Sequence, residues 1–404
     1  MEGNREIMNQ PKCNHCGQKV DIFYELEKYP VYVRAVKRED LEKVPALPIK
    51  IGFCENCNHI VQIDPPMDAI EEVYRTFYGT YHSTAISGIG SEYANSFASF
   101  VNKTISGKNL LEIGCSDGYF LHLMQKEWWN VWGCDPSPRT SVAIEKFNIP
   151  VKKELFRKGL FDQKFDCIVM RNLLEHIVNP KEFLDEVSSQ LVNGGYVAIE
   201  VPNVIHTLEF GIIGDFHHEH ISYFTPQSLS LLLNKAGYDI NSITEHGYAI
   251  YLVAQYSGGD ELGIIKYQEA DKINRTKKAI SKYKAGLERL KRELISMQEY
   301  WVSNNYTIYL YGGGGHTMGL LSKVPLKVKA IIDKDESKWG KYLPGFKNIP
   351  ILQYKFLENL SKKDVVVISS ELFQDEIVKD LMLYANKGIK IVKLYPHCEY
   401  VSVR

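Results

Sequence analysis

The densest cluster of ionisable side chains lies in residues 215–225, which read DFHHEHISYFT. This segment follows the strand-like stretch VAIEVPN and precedes a helix that we predict to begin at Pro226. An imidazole that titrates near neutral pH and is oriented by a carboxylate suits general-base catalysis. We therefore predict that His220 is a base and that Glu219 is its orienting neighbour. The alternative is a structural turn whose side chains cap the following helix.

Two further catalytic candidates lie outside that segment. His176 follows the apolar stretch FDCIVM, which we predict to be a strand. Because side chains beyond the carboxyl ends of parallel strands face one crevice, we expect His176 to point toward the same crevice as His220. Tyr81 lies in the aromatic stretch FYGTYHST, where a loop between two predicted domains can close over a substrate. Packing at that junction is the alternative for Tyr81.

Half of the eight cysteines occur in two Cys-x-x-Cys pairs near the N-terminus. Eight cysteines in 404 residues are too few for a disulfide scaffold, and paired cysteines in a reducing compartment indicate a metal site. Four thiolates complete a tetrahedral shell around Zn²⁺, and closed shells of this kind are structural. The predicted zinc ligands are Cys13, Cys16, Cys54 and Cys57. The alternative is two unrelated pairs of buried thiols.

A glycine-bearing turn follows the apolar stretch Leu110–Ile113 and precedes a predicted helix. Gly114 and Gly118 allow the backbone to approach a ligand closely. Their spacing differs from Gly-x-Gly-x-x-Gly, so a cofactor without a pyrophosphate is favoured. Asp135 ends the next strand-like stretch, 17 residues after Gly118, where a carboxylate can bind both ribose hydroxyls.

The pattern of strands and helices divides the chain into four segments that would position these residues. Residues 1–75 are predicted to form a small, strand-rich zinc-binding module, and residues 76–255 alternate strands and helices as in a doubly wound α/β domain. Residues 256–303 are predicted to contain a long, largely solvated linker helix, with a coiled-coil dimerisation helix as the alternative. Residues 304–404 repeat the alternation and predict a second Rossmann-like α/β domain.

The composition limits the classes of function. The chain is 45% hydrophobic and 24% charged, which excludes a mostly disordered protein. The net charge of −1 gives no bulk attraction to nucleic acid or to an acidic membrane, so neither is expected as a partner. Since no signal peptide or membrane-spanning stretch is recognisable, we expect a cytoplasmic protein.

The motif Glu112-x-Gly114-x-x-x-Gly118 with Asp135 resembles the first motif and the ribose acid of the class I S-adenosylmethionine-dependent methyltransferases. The resemblance implies that fold and S-adenosylmethionine as cofactor. It also implies that Leu155 and Phe156 lie by the adenine and that Asn172 lies near the methionine moiety. The complete set of predicted cofactor contacts is Glu112, Gly114, Cys115, Asp117, Gly118, Asp135, Leu155, Phe156 and Asn172.

The order of the cysteine module, the FYGTYHS stretch, the EIGCSDG and EH motifs and a second α/β domain resembles the sugar C-methyltransferases. Members of that family methylate nucleotide-linked 4-keto-6-deoxysugars in deoxysugar and surface-polysaccharide pathways. The resemblance implies that His220, beside Glu219, removes the proton alpha to the ketone and that the enolate then attacks the sulfonium methyl. It also implies that Tyr81 and His176 lie near the substrate.

Two positions depart from the pattern of that family. His217 replaces a tyrosine that commonly lies two residues before the matching glutamate, so one hydrogen bond to the enolate or ketone would differ. His217 remains a catalytic candidate. The last domain begins with Tyr311-Gly-Gly-Gly-Gly-His316 where the family usually has Tyr-Gly-Ala-x-x-Lys, so no lysine is present for a phosphate. A full dinucleotide site is not expected there, because each Gly-x-Gly frame lacks the third glycine.

Several alternatives for function and assembly stay open. An O- or N-methyltransferase acting on a sugar or another small metabolite would share the same architecture. An RNA methyltransferase or RNA-binding protein is disfavoured by the neutral charge. The predicted long helix is compatible with a monomer or a homodimer.

Overall fold

Short runs of β-branched and aromatic residues form the strands of this protein, and amphipathic stretches between them form its helices. The computed structural model describes residues 10–77, 89–258, 270–371 and 373–402. In these ranges the strands are β1 (Asp21–Pro30), β2 (Ala46–Cys54), β3 (His59–Ile63), β4 (Asn109–Ile113), β5 (Asn130–Cys134), β6 (Val151–Lys152), β7 (Phe165–Arg171), β8 (Leu191–Pro202), β9 (Ser222–Tyr223), β10 (Tyr238–His246), β11 (Ala249–Tyr256), β12 (Thr307–Tyr311), β13 (Val328–Asp333), β14 (Ile351–Gln353), β15 (Asp364–Ile368), β16 (Lys390–Lys393) and β17 (Glu399–Tyr400). The α-helices are α1 (Met67–Phe77), α2 (Ile89–Thr104), α3 (Tyr119–Lys126), α4 (Thr140–Phe147), α5 (Pro180–Ser188), α6 (Val204–Phe210), α7 (Pro226–Lys235), α8 (Ala270–Ser303), α9 (Gly315–Lys323) and α10 (Gln374–Asn386).

The central sheet has the strand order β10-β11-β8-β7-β4-β5-β6. Strands β4 to β8 are parallel, while β11 and β10 add an antiparallel hairpin at one edge. The order from β6 to β8 is that of a doubly wound α/β sheet, whose ligands bind beyond the carboxyl ends of the strands. The predicted α/β class of this domain is therefore confirmed. The predicted cofactor loop follows β4, at that carboxyl edge.

A second sheet, formed by β1, β2, β3 and β9, carries the two cysteine pairs at one end. Its fourth strand comes from a distant part of the chain, because Tyr223 pairs with Ile60 and Ser222 pairs with Val61. The segment that contains the predicted base is thus hydrogen bonded to the N-terminal sheet. This pairing fixes the position of the segment relative to the N-terminal sheet.

The third sheet has the order β14-β13-β12-β15-β16-β17, and all pairs in it except β16 with β17 are parallel. The order from β14 to β16 again follows the doubly wound pattern. A second Rossmann-like α/β domain is therefore present, as the sequence predicts. The domain limits 1–75, 76–255, 256–303 and 304–404 stay predictions.

Helix α8, 34 residues long, is mostly solvated but buries one stripe of side chains. Ile280, Tyr283, Leu294 and Trp301 are buried on that stripe. Phe216 covers part of it, with a ring centroid 5.5 Å from that of Tyr283. The apolar periodicity that suggested a coiled coil is thus at least partly satisfied within one chain. Among the helices of the described ranges, none is long and apolar enough to cross a membrane.

Candidate active site

The loop between β4 and α3 depends on residues in the left-handed backbone region. Gly114, Ser116 and Gly118 have φ angles of 77°, 47° and 72°. A Cβ atom on Gly118 would lie 2.5 Å from the Cβ of Ala143, so only glycine allows α3 to approach α4 this closely. The amide of Gly114 donates to the carbonyl of Cys134 at the end of β5, 2.8 Å away. The backbone conformation of the loop and the packing of α3 against α4 therefore account for the glycine spacing in the sequence.

Two aspartates hold this loop in place. Asp135 accepts hydrogen bonds from the amides of Ser116, at 2.9 Å, and of Ser137, at 2.7 Å. Asp117 accepts a bond of 3.1 Å from Arg139, and both side chains are largely buried. Each carboxylate oxygen keeps lone pairs for further donors. The two acids can thus shape the loop and still bind a ligand.

A cavity of about 580 Å³ extends along the carboxyl edge of the central sheet. It brings together the predicted cofactor loop between β4 and α3 and the segment of residues 215–225, called the histidine segment below. Its lining includes the predicted cofactor contacts Glu112, Gly114, Cys115, Asp117 and Asn172 and the predicted catalytic residues His217 and His220. Gly118 and Asp135 belong to the loop and strand end that frame this lining. One cavity thus holds the candidate cofactor site and the candidate base.

Other predicted contacts lie elsewhere or outside the described ranges. Leu155 is 74% exposed, and Phe156 packs edge-on against Phe183 with ring centroids 6.0 Å apart. Neither of the two predicted adenine contacts is among the described residues that line the cavity. Tyr81 falls outside the described residues, so its role near a substrate stays a prediction.

A buried ion pair that sequence reasoning missed forms part of the cavity wall. Arg171 donates from Nε to Glu200, 2.5 Å away, and its guanidinium lies over the ring of Phe120 at 5.0 Å. Glu112 lies in the same wall, and its Oε2 has no hydrogen-bond partner among the described residues. Burial raises the pKa of Glu112 to about 8, although Arg171 acts in the opposite direction. Oε2 of Glu112 can therefore accept a hydrogen bond from a ligand.

Glu219 is held by the N-terminal module. Its carboxylate accepts bonds of 3.1 and 3.3 Å from Arg34 and one of 3.2 Å from the hydroxyl of Tyr74. Burial raises its pKa, but Arg34 and two nearby histidines outweigh burial and hold the pKa below its usual value. In the described ranges, no hydrogen bond joins this carboxylate to the ring of His220. Glu219 therefore anchors the segment to the module without orienting the imidazole directly.

The ring of His220 faces the cavity and is free for a ligand. It makes no hydrogen bond with any side chain that the structure describes, and its nearest rings are those of His217 and His176, with centroids at 4.1 and 4.8 Å. Burial lowers the pKa of His220 well below its usual value, and the neighbouring histidines and Arg34 add to this effect. The imidazole is therefore neutral at neutral pH, which leaves a lone pair to accept a proton.

His176 is fixed by a bond to the backbone. Its Nδ1 lies 2.6 Å from the carbonyl oxygen of Glu219, which can only accept, so Nδ1 carries the proton and Nε2 has the lone pair. Nε2 lies 3.9 Å from Oε1 of Glu175. Glu175 is buried, and burial raises its pKa to about 8.

Tyr223 holds the backbone of the histidine segment. Its hydroxyl accepts from the amide of His217 and donates to the carbonyl of the same residue, both at 3.0 Å. His218 is buried, and its Nε2 lies 3.2 Å from the carbonyl oxygen of Tyr29. Burial lowers the pKa of His217 to about 4, so this ring is also neutral. The segment thus presents neutral imidazoles on a fixed backbone.

The N-terminal cysteines converge as predicted. The Sγ atoms of Cys13 and Cys57 are 3.5 Å apart, and those of Cys16 and Cys54 are 3.4 Å apart. All four sulfur atoms lie within 4.8 Å of one another. Zn–S bonds of about 2.3 Å in a tetrahedron would place the sulfur atoms about 3.8 Å apart, so the donor set fits this ion.

The glycine loop of the last domain is linked to the cavity wall. The carboxylate of Asp333 accepts from the amide of Gly313 at 2.6 Å and from Lys338 at 3.0 Å. This acid is therefore already engaged by protein donors. His316 lies 3.2 Å from Asp215, which lines the cavity. The last domain thus contributes to holding the wall of the candidate active site.

Comparison with known protein families matches two consecutive parts of the chain. Residues 88–243 match a family described as a methyltransferase domain, and residues 251–396 match the C-methyltransferase C-terminal domain. The chain is an S-adenosylmethionine-dependent methyltransferase that carries a domain similar to the C-terminal domain of C-methyltransferases. Most residues that line the cavity described above lie in the methyltransferase domain, while Arg34 comes from the N-terminal module. His316 of the C-terminal domain contacts Asp215 in the cavity wall.

The names of the relatives of this chain describe several activities. C-methyltransferase NovU of Streptomyces niveus is 25% identical over 266 residues, 61% of this chain and 62% of NovU. The mitochondrial ubiquinone biosynthesis O-methyltransferase of Arabidopsis thaliana is 24% identical over 166 residues, 36% of this chain and 51% of that protein. The tRNA U34 carboxymethyltransferase of Nautilia profundicola is 28% identical over 104 residues, 24% of this chain and 35% of that protein. Each match spans less than two thirds of the relative.

Proposed function

We propose that this protein transfers a methyl group from S-adenosylmethionine to a carbon atom of a nucleotide-linked 4-keto-deoxysugar. The observation that carries the proposal is the neutral ring of His220, which makes no hydrogen bond with the described residues and lies in the cavity that also contains the glycine loop. A carbon acceptor needs a base that removes its proton, and a free imidazole can do this. The match to the C-methyltransferase C-terminal domain and the similarity to NovU support a carbon acceptor.

The cofactor would occupy the glycine-loop end of the cavity and supply an electrophilic methyl group. We assign its contacts to the loop residues that line the cavity, with Gly118 and Asp135 framing them. Oε2 of Glu112, which has no hydrogen-bond partner in the part of the chain that the structure describes, fits a ligand carrying a donor group. Leu155 and Phe156 are proposed as adenine contacts on the family resemblance alone.

In the proposed reaction, His220 accepts the proton from the carbon next to the ketone, and the electron pair of that C–H bond passes into the enolate. The enolate oxygen then requires a donor or a positive charge. Arg34 lines the cavity and is held by Glu219, so its guanidinium is placed to stabilise that charge. His217 lines the same wall and is assigned to the ketone oxygen, in place of the tyrosine common in related enzymes.

We also propose that the four cysteines bind a structural Zn²⁺ ion. The sheet that carries them pairs with Ser222 and Tyr223, so order in the module supports order in the histidine segment. Elemental analysis should find one zinc ion per chain at this site, and a chelator should lower the melting temperature. Unchanged stability of a protein that contains no zinc would contradict this assignment.

The test of the proposed function is mass spectrometry of a panel of nucleotide-linked 4-keto-6-deoxysugars incubated with the protein and S-adenosylmethionine. We expect one sugar to gain a methyl group on carbon, and His220→Ala should abolish that gain. The matched control is His122→Ala, which removes a histidine ring at another place in the same domain. His122 lies on α3 and stacks on Phe147, with ring centroids 4.3 Å apart. A methyl group found on oxygen or nitrogen would reject the carbon acceptor in favour of the O- or N-methyltransferase alternative.

A further inference from the structure

The carboxyl group of Glu175 is buried and makes no hydrogen bond with any residue that the structure describes. Its side chain is 1% exposed, and neither Oε1 nor Oε2 accepts or donates a hydrogen bond to any residue in the described ranges. Burial of an unpaired carboxyl group costs several kcal/mol, so a group of this kind calls for a bound ion or water. The reaction proposed above does not use it.

Two histidine nitrogens lie close to this carboxyl group. One ligand atom each from Glu175, His176 and His220 can be chosen so that all three lie within 4.8 Å of one another. His176 already donates its Nδ1 proton to the carbonyl of Glu219, which leaves Nε2 directed to the group. Metal-binding histidines usually make such a hydrogen bond, in which the ring nitrogen that does not bind the metal donates to a backbone carbonyl.

We propose that Glu175, His176 and His220 form a divalent transition-metal site that opens into the cavity. One carboxylate and two imidazoles suit Zn²⁺, Co²⁺ and Ni²⁺, and three protein ligands leave at least one coordination position for an oxygen atom of a ligand. Metal–ligand bonds of about 2 Å would bring the three donor atoms to about 3.3 Å, a contraction that side-chain rotation can supply. This site is separate from the four cysteines.

Metal binding and proton abstraction would require the same lone pair of His220. Occupation of the site is therefore expected to inhibit methyl transfer to carbon, and this consequence rests on the proposed function. Binding itself does not, because it needs only the three side chains. Metal binding and inhibition of methyl transfer can therefore be tested separately.

Binding is tested on the full-length protein with its four-cysteine site filled, by calorimetric titration with Co²⁺ or Zn²⁺ in the absence of substrate. We expect one further equivalent in the wild type. Glu175→Gln and, separately, His220→Asn should each weaken this binding at least tenfold, whereas the control His122→Gln should leave it unchanged. Circular dichroism checks that each variant is folded. His220→Asn removes a ring that makes no hydrogen bond with the described residues, although it contacts the rings of His217 and His176.

Absence of a further equivalent in the wild type, or equal affinity in the wild type and both variants, would overturn the site. In the methylation assay, added Zn²⁺ should inhibit the wild type, and Glu175→Gln should relieve the inhibition at least tenfold. A metal that binds to these residues but stimulates transfer would overturn the competition. Lack of methylation on every sugar of the panel would count against the proposed function alone, because the titration would still report on binding.

Discussion

Two buried tyrosines of the N-terminal and histidine segments provide a matched test of how the candidate base is held. The hydroxyl of Tyr223 makes two hydrogen bonds to the backbone of His217, each 3.0 Å long. The hydroxyl of Tyr29 is buried, and no described residue is bonded to it. Replacement by phenylalanine removes the same atom at both positions. Loss of the hydroxyl should therefore lower the free energy of unfolding at Tyr223 and not at Tyr29.

The expected magnitudes follow from these contacts. Tyr223→Phe leaves the amide of His217 without its partner, whereas the carbonyl keeps the bond of 3.3 Å from the amide of His220. We expect a loss of about 2 kcal/mol in the free energy of unfolding. Tyr29→Phe removes a buried hydroxyl that makes no hydrogen bond within the described ranges, so the free energy of unfolding should stay constant or rise by up to about 1 kcal/mol. For a cooperative unit of roughly 200 residues, the Tyr223 variant should melt about 4 to 8 °C lower.

Differential scanning calorimetry measures the melting temperatures, and hydrogen exchange with mass spectrometry reports on residues 213–225. We expect faster exchange of the His217 amide in Tyr223→Phe and unchanged exchange in Tyr29→Phe. Equal melting temperatures and equal exchange in the two variants would refute the view that Tyr223 holds this backbone.

Three further predictions concern the loop, the histidine segment and the cavity wall. Gly118→Ala should abolish binding of S-adenosylhomocysteine, measured by calorimetry, because its Cβ would clash with α4; Gly159→Ala, at a φ of 75° with open space around it, should retain binding. Because the pKa of His217 is lowered to about 4 from 6.5, the unfolded chain takes up this proton first as the pH falls. Through His217, the free energy of unfolding should therefore fall by up to about 3 kcal/mol as the pH is lowered from 6.5 to about 4. Urea midpoints measured across this pH range will show the fall, and His217→Phe should reduce it. Arg171→Met should cost about 3–5 kcal/mol by leaving Glu200 unpaired in the interior, and Arg171→Met with Glu200→Met should recover most of that loss in urea unfolding.

The elements of the central sheet could be predicted because their signals are local. The apolar run NLLEI forms β4, and the glycines that follow it adopt positive φ angles as their spacing indicates. Pro226 begins α7, and the cap is made by Thr225 with Ser228. The two cysteine knuckles likewise contain their turn residues, with Gly17 and Asn58 at φ angles of 71° and 56°.

The partners of the histidine segment could not be predicted, because they are distant in the chain. Arg34 and Tyr74 reach Glu219 across 185 and 145 residues. Sequence reasoning paired Glu219 with its neighbour His220 instead, since adjacent residues are the only contacts that a local pattern can supply. The sequence also could not predict that the carboxyl group of Glu175 makes no hydrogen bond with the described residues, because this depends on what surrounds the group in three dimensions.

The most direct test of the central claim is exchange of the ring proton of the sugar with deuterated water, measured by mass spectrometry with S-adenosylhomocysteine in place of the methyl donor. This measurement separates proton removal from methyl transfer. If His220 is the base of a carbon methylation, the wild type will exchange the proton next to the ketone, the control His122→Ala will exchange it at the same rate, and His220→Ala will not. Exchange that survives in His220→Ala, or methyl transfer by a wild type that shows no exchange, would contradict the assignment.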